Sequence, residues 1–343
     1  MQSQKKCDIL IMNKGRIEKR TVATKDDVTK SYMSDPARFA DMFNAFFYRG
    51  KQVIDADSLT ELDPTEITDL IDVKIDKIDI DPLQKHRDIL KQMCVMTDHK
   101  KTYVLLGIEN QSHVDRTMVV RVMLYDAMRY LKQFKEIAAN NKRKKKRGID
   151  YLSGIGHDDT IHPVITLVVN FDERRWDEPT TLHGLFEQDD VIRDLLNFVP
   201  DFKMNLYDPH LYNKEDFDTF HTRLKQVFKY IRYAKDGKAL EEVVEEDPGY
   251  HEMSNSSTMM INVVTDSNFP IKKGENTDMC QALREIREAA RQTVIDEKNA
   301  ETEASIRRLL AQQVPVHVVL DAMRHYPQKR ILEIAEELKE NGK

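Results

Sequence analysis

The chain has 343 residues, 40% of them hydrophobic and 33% charged, with a formal net charge of -6. Such a composition suits a globular chain with one large core plus an appendage, or two modest domains. It excludes a surface that is basic throughout, so any nucleic-acid contact has to come from a local patch.

Cys7, Cys94 and Cys280 are the three cysteines, too scattered for a disulfide framework or a structural zinc site, which fits a reducing cytoplasm. After Lys5 and Lys6 the apolar run Ile9 to Met12 is too short for a signal sequence. No stretch approaches the roughly 20 apolar residues of a membrane span. The expectation is a soluble, cytoplasmic protein without a membrane partner.

Residues 1–34 read as a polar lead-in. From Pro36, the residues Phe39, Met42, Phe43, Phe46 and Phe47 recur at helical spacing, with Asp35-Pro36 as a start signal and Gly50 as a stop. Turn or helix starts follow at Asp57-Ser58 and at Asp63 to Glu66, and Arg87 to Met96 fits a strand or a helix equally. Lys101 to Ile108 predicts a buried strand ending in a polar cluster. Thr117 to Ala139 predicts a long helix with two faces. Val120, Met123, Ala127, Leu131, Phe134 and Ala138 form the apolar face, expected on the sheet. Arg121, Tyr125, Arg129 and Lys132 form a basic face, expected towards solvent or a ligand.

The basic run Lys142, Arg143, Lys144, Lys145, Lys146 and Arg147 comes next. It is either a solvated loop or a set of phosphate contacts. Pro163 to Phe171 predicts a second buried strand, and helical patterns cover 183–195 and 215–234. The acidic, polar stretch 238–258 suggests a domain boundary, followed by a short strand at Met259 to Val264. Asp278 to Gln313 reads as a long charged helix, and 315–340 as a pair of short ones. The expected organisation is a lead-in (1–34), a catalytic-type domain (35–240), a linker with a short strand (241–277) and a helical C-terminal region (278–343). The pattern favours a mixed α/β core, with an all-α fold as the alternative.

The residues with chemistry in them are Asp88 and the group Glu109-Asn110-Gln111. On a strand, residues 109 and 111 point to the same side. If Arg87 to Met96 is the neighbouring strand, Asp88 joins them. Asp88, Glu109 and the backbone carbonyl of Asn110 would then make an oxygen-only site of the kind Mg²⁺ or Mn²⁺ prefers, with waters retained for attack on a phosphodiester. On spacing alone, solvation of a strand end is the plainer reading. His86, His99 and His113 lack zinc spacing, and Gly154-Ile155-Gly156 lacks the third glycine of a dinucleotide loop. No nucleotide cofactor is expected.

Six segments carry a resemblance to a known family: RFADMFNAFFYRGKQVI (38–54), HRDIL (86–90), LLGIENQS (105–112), VVRVMLYDAMRYLKQ (119–133), HPVITLVVNFDERRWDEPTTLH (162–183) and VPDFKMNLYDP (199–209). From about 36 to 300 the chain resembles the recombination-promoting nuclease / putative transposase family, which implies a restriction-endonuclease-like PD-(D/E)XK core cutting DNA with Mg²⁺ or Mn²⁺. The resemblance implies that Asp88 and Glu109 are the motif acids and that Gln111 stands where many superfamily members have lysine. Glutamine orients water through hydrogen bonds but brings no charge. Asp41 is the candidate for an additional acid on the first helix.

The resulting expectation is a metal-dependent DNA endonuclease tied to recombination or transposition. Its rivals are a nuclease-fold module that binds DNA or protein without cutting, and an RNA nuclease. The segment 305–340 is expected to contact DNA, to form a homodimer, or simply to pack as a helix pair.

Overall fold

The computed structural model describes residues 24–62, 65–66, 85–86, 88–97, 100–144, 153–187, 189–272 and 274–341, giving backbone alone at 65–66, 85–86, 94–97, 100–103 and 340–341. The chain divides into two compact units, Met1–Met279 and Cys280–Lys343.

In the first unit, α1 (Lys25–Met33) starts where sequence reading expected a lead-in. Its start is specified locally by a capping box. Asp27 N–H donates to Thr24 Oγ1 at 3.1 Å and Thr24 N–H returns to Asp27 Oδ2 at 3.0 Å. Its buried side chains, Val28, Thr29, Tyr32 and Met33, keep it on the core. α2 (Pro36–Tyr48) has Asp35 as N-cap and proline at its first turn, as expected. It ends through Arg49 at φ 53° and Gly50 at φ 85°. A Cβ on Gly50 would lie 2.7 Å from the carbonyl oxygen of Thr219, so both conformation and space require glycine there.

Next come β1 (Leu59–Glu61), the short pair β2 (Thr65–Glu66) and β3 (Lys85–His86), then β4 (Ile89–Thr97) and β5 (Lys100–Gln111). α3 (Met118–Arg143) crosses to β6 (Val164–Asn170). After it come α4 (Asp190–Leu195), β7 (Asn205–Tyr207), α5 (Leu224–Tyr233), α6 (Gly237–Glu246) and α7 (Asn255–Val264). The main sheet has the order β1-β4-β5-β6-β7. Its first two pairings are antiparallel and its last two parallel. The parallel step from β5 to β6 is the one that needs a long crossover, and α3 provides it. The fold is α/β: a mixed five-stranded sheet flanked by helices.

Each face of the sheet has its own core. On one side, Val168 of β6 packs with Met118, Val119 and Val122 of α3, and with Trp176 and Met204. On the other, Phe171 stacks on Phe228 of α5 at 5.6 Å between ring centroids, and Tyr207 meets Phe228 at 4.7 Å. The buried Lys91 ammonium donates to Ser34 O at 2.9 Å and Glu61 Oε1 at 3.0 Å, tying β4 to the turn between α1 and α2.

Three expectations are corrected. Met259 to Val264 is part of α7, not a strand. Ser254 caps that helix, and Ser257, Thr258, Met260, Ile261 and Val264 are buried. A short apolar run does not distinguish the two states, and packing decides. The stretch 241–277 is not a linker, since α6 and α7 belong to the first unit; α7 is joined to α1 by the 2.9 Å hydrogen bond between Tyr32 Oη and Ser257 Oγ. The two faces of α3 are exchanged relative to expectation. Val120, Leu131 and Phe134 are 42%, 53% and 38% exposed, whereas Tyr125, Arg129 and Gln133 are buried.

The second unit is helical. α8 (Met279–Ala311) runs through most of it, followed by α9 (Val316–Ala322) and α10 (Gln328–Asn341). Ile306, Val319, Ile331 and Ile334 form its core. Arg330 bridges Glu303, Glu333 and Glu337 on its surface. Among the described residues no helix is long and apolar enough to cross a membrane.

Candidate functional site

Strand alternation and the β4–β5 register build the site. Ile89 pairs with Ile108, so Asp88, one residue before β4, arrives beside the end of β5. The Asn110 backbone N–H donates to Asp88 Oδ2 at 2.7 Å, docking this carboxylate between Glu109 and Gln111 in the chain. Glu109 and Gln111 pair with Val168 and Asn170 of β6, so both lie on the face covered by α3. Glu109 is 1% exposed and Gln111 9%. Gln111 Nε2 donates to Asn110 O at 3.3 Å, and Gln111 O accepts from Phe171 N at 2.8 Å, which anchors the strand end. The structure therefore brings Asp88, Glu109, Asn110 and Gln111 together.

α3 supplies the roof. Arg121 Nη1 donates to Asp115 Oδ2 at 2.8 Å and Nη2 to Tyr125 Oη at 3.4 Å. Asp115 is itself held by Thr117 N–H at 2.8 Å and Thr117 Oγ1 at 2.7 Å. Beyond the strand end, Ser112 Oγ donates to Asp26 Oδ1 at 2.7 Å, which brings the first turn of α1 to the site.

The electrostatics of these groups are coupled. Burial pushes the Asp88 carboxyl above its ordinary value; the Asn110 N–H, Lys30 and Arg121 act against burial, while Asp26 adds to it. Burial also raises the Tyr125 phenol, Arg121 opposes that, and the charges of Glu109 and Asp88 reinforce it. Partial burial works against the charge of Arg121, but Tyr125, Asp115 and Glu109 outweigh it and raise the guanidinium above its ordinary value. Two acids in a poorly solvated place, with one of them resisting ionisation, form a centre that a bound cation would relieve.

The remaining expected residues are distributed unevenly. Asp41 is engaged elsewhere: its carboxylate accepts from His221 N–H at 3.0 Å, Thr222 N–H at 2.8 Å and Thr222 Oγ1 at 2.6 Å, which joins α2 to the start of α5. The acid that reaches the strand end from the first helix is Asp26. Arg129 is 8% exposed and does not belong to a solvent-facing basic surface. Lys132 is half-buried, while Lys142, Arg143 and Lys144 are exposed at the far end of α3. Lys145, Lys146 and Arg147 lie outside the described residues. Sequence reading gave Asp26, Lys30 and Asp115 no role and grouped Tyr125 with the basic face. The Thr24-to-Asp27 capping pattern was a legible sign of α1, but nothing local places that helix beside β5.

A family model described as putative transposase, YhgA-like, matches residues 26–253. The chain belongs to that family. The YhgA-like match starts on α1, earlier than the resemblance in sequence suggested, and stops before α7. It contains Asp26, Asp88, Glu109, Asn110, Gln111, Arg121 and Tyr125, so the whole assembled site falls within the family region. Neither a curated protein nor a solved structure matches the chain significantly.

Proposed function

We propose that this YhgA-like chain is a metal-dependent endonuclease of the PD-(D/E)XK type that hydrolyses DNA phosphodiesters in recombination or transposition. The observation that carries the reading is the 2.7 Å hydrogen bond from Asn110 N–H to Asp88 Oδ2, because it sets an acid from the start of one strand against the E-x-Q end of its neighbour. The order of elements supports it: helices, three antiparallel strands, a crossover helix and a parallel strand.

The donor set fits a hard divalent cation: two carboxylates and a carbonyl, all oxygen, in a place where burial disfavours uncompensated charge. Asp88, Glu109 and the Asn110 carbonyl would hold Mg²⁺ or Mn²⁺, which when bound would neutralise charge on the phosphate. Gln111 orients the attacking water through its amide. Asp115 and Tyr125 hold Arg121 on the first turn of α3. Lys142, Arg143 and Lys144 hold more distant phosphates of the backbone, a contact that positions DNA without reading its sequence.

The test is cleavage of supercoiled plasmid with Mg²⁺ or Mn²⁺, beside the Asp88→Ala/Glu109→Ala double variant and an EDTA control. Cutting that disappears in both controls is expected; cutting that survives the double variant would refute the site. A second reading is a nuclease-fold module that binds DNA without cutting. It is favoured by the 3.3 Å bond from Gln111 Nε2 to Asn110 O, which spends on the protein a lone pair of the carbonyl assigned to the metal. Retained DNA binding with no cleavage in either metal would select it.

A further inference from the structure

We infer that the Arg121 guanidinium provides the positive charge that Gln111 does not, by donating to a non-bridging oxygen of the phosphate under attack at the Asp88–Glu109 centre. This rests on the endonuclease reading.

Charge bookkeeping raises the need. Hydrolysis adds water across one phosphodiester bond. The water oxygen bonds to phosphorus, one P–O ester bond breaks, and the leaving oxygen takes a proton. No oxidant or reductant is involved, and Arg121 neither gives nor takes a proton. Negative charge gathers on the phosphate oxygens during the attack. The E-x-Q end of β5 offers only an amide there, and an amide carries no net charge.

Position selects Arg121. It lies on the first turn of α3, bonded to Tyr125 and next to Val122, which shares a core cluster with Val168, the β6 partner of Glu109; that places it on the sheet face that carries Glu109 and Gln111. Its side chain is 29% exposed, so a substrate can reach it. A guanidinium has five N–H donors. Asp115 and Tyr125 engage one on each terminal nitrogen, which leaves Nε–H and a second N–H on each terminal nitrogen without a partner among the described residues. The bond to Asp115 fixes the fork in place before a ligand arrives. This is the pre-organisation that makes a charged donor effective.

The other cations fit less well. Lys132 is about 16 Å further along the helix axis, and Lys142 about 31 Å, at 1.5 Å per residue. Arg129 is buried. Lys30 acts on Asp88 but sits exposed on α1, where no described contact orients its ammonium towards the strand end.

The experiment compares Arg121→Ala, Arg121→Lys, Lys30→Ala and the Arg121→Ala/Gln111→Lys pair, all checked for folding by thermal melting. Plasmid cleavage by Arg121→Ala is expected to fall by about 10²–10³-fold, the loss typical of removing one preorganised donor. Arg121→Lys should recover part of it, and adding Gln111→Lys to Arg121→Ala should recover at least about tenfold. Independently of turnover, the slope of log affinity against log salt for a short DNA duplex in EDTA should shrink by about one in Arg121→Ala.

Arg121→Ala cutting within threefold of wild type would overturn the inference. So would an unchanged salt slope together with no rescue by either lysine, or a larger loss from Lys30→Ala than from Arg121→Ala. A wild type that never cuts removes the endonuclease reading and this inference with it; a cutting wild type with an active Arg121→Ala removes this inference alone.

Discussion

Two kinds of desolvated aspartate occur in the first unit, fully buried ones and the half-buried Asp88. Asp208 is fully buried, and its carboxylate accepts from Trp176 N–H at 2.8 Å, Asn170 Nδ2 at 3.2 Å, His210 N–H at 3.1 Å and His210 Nδ1 at 2.8 Å. Asp41 is bonded on both oxygens by His221 and Thr222, just ahead of α5. Asp88, among the described residues, takes the Asn110 N–H on one oxygen. The shifts follow these surroundings. Burial works to raise Asp208, but its bonds to His210 and Trp176 outweigh burial and hold it low, whereas burial prevails at Asp88 and holds it high. A carboxylate ringed by donors is a strut. A half-buried carboxylate with a single donor among the described residues is a cost, and a ligand can offset it.

The widest separation between the two kinds should appear in activity. Glu109→Ala or Asp88→Ala is expected to abolish Mn²⁺ binding in calorimetry and to cut plasmid cleavage by about 10³-fold or more, on the order of 4 kcal/mol. Both variants should keep the wild-type circular dichroism spectrum. Normal Mn²⁺ binding by either variant would place the metal elsewhere.

Stability should show the reverse. Asp208→Ala leaves the N–H groups of Trp176 and His210 without their acceptor, and should cost about 3 kcal/mol in urea unfolding. Asp88→Asn keeps an acceptor for Asn110 N–H and removes a charge, so it should change stability by less than about 1 kcal/mol, upwards if at all. A large loss from Asp88→Asn would make Asp88 a strut like the others.

The pH dependence of stability separates them further. Asp208 is depressed in the folded state, so its contribution is complete above the ordinary carboxylate value and is lost as pH falls through its lowered one. Asp88 is raised, so its contribution is complete below the ordinary value and is lost as pH rises through its raised one. Asp208→Asn should therefore flatten the acid limb of the stability curve, and Asp88→Asn the limb just above it, in urea titrations at stepped pH.

The smallest effect expected is on metal affinity. Because Asp88 must lose its proton to bind a cation, Mn²⁺ affinity should fall as pH drops through the raised Asp88 value, with proton release seen as a buffer-dependent enthalpy. A pH-independent affinity would exclude Asp88 as a ligand.

Much of the framework was legible in the sequence. Asp35-Pro36 and the phenylalanine spacing marked α2. The runs KTYVLLGI and PVITLVVNF marked β5 and β6, and the position of Glu109 and Gln111 on one side of a strand followed from alternation alone. The choice between strand and helix for Arg87 to Met96 was not legible, because a short apolar run satisfies both periods and is settled by pairing with β5. β1 and β7 are three residues each and too short to show a period. The faces of α3 were misassigned for a related reason. Periodicity shows that a helix has two faces, but here the face with Tyr125, Arg129 and Gln133 is buried together with Met118, Val119, Val122 and Met128, and Gln133 is held by the backbone of His162.

By itself the sequence determined what depends on near neighbours: helix starts, the glycine stop after α2, buried strands, and the paired side chains at 109 and 111. Tertiary structure alone decided which acids are struts and which form a centre. Burial, hydrogen bonding and the charges of Lys30, Asp26 and Arg121 reach Asp88 from three separate segments, and the free energy of a carboxylate is set by whatever surrounds it in space.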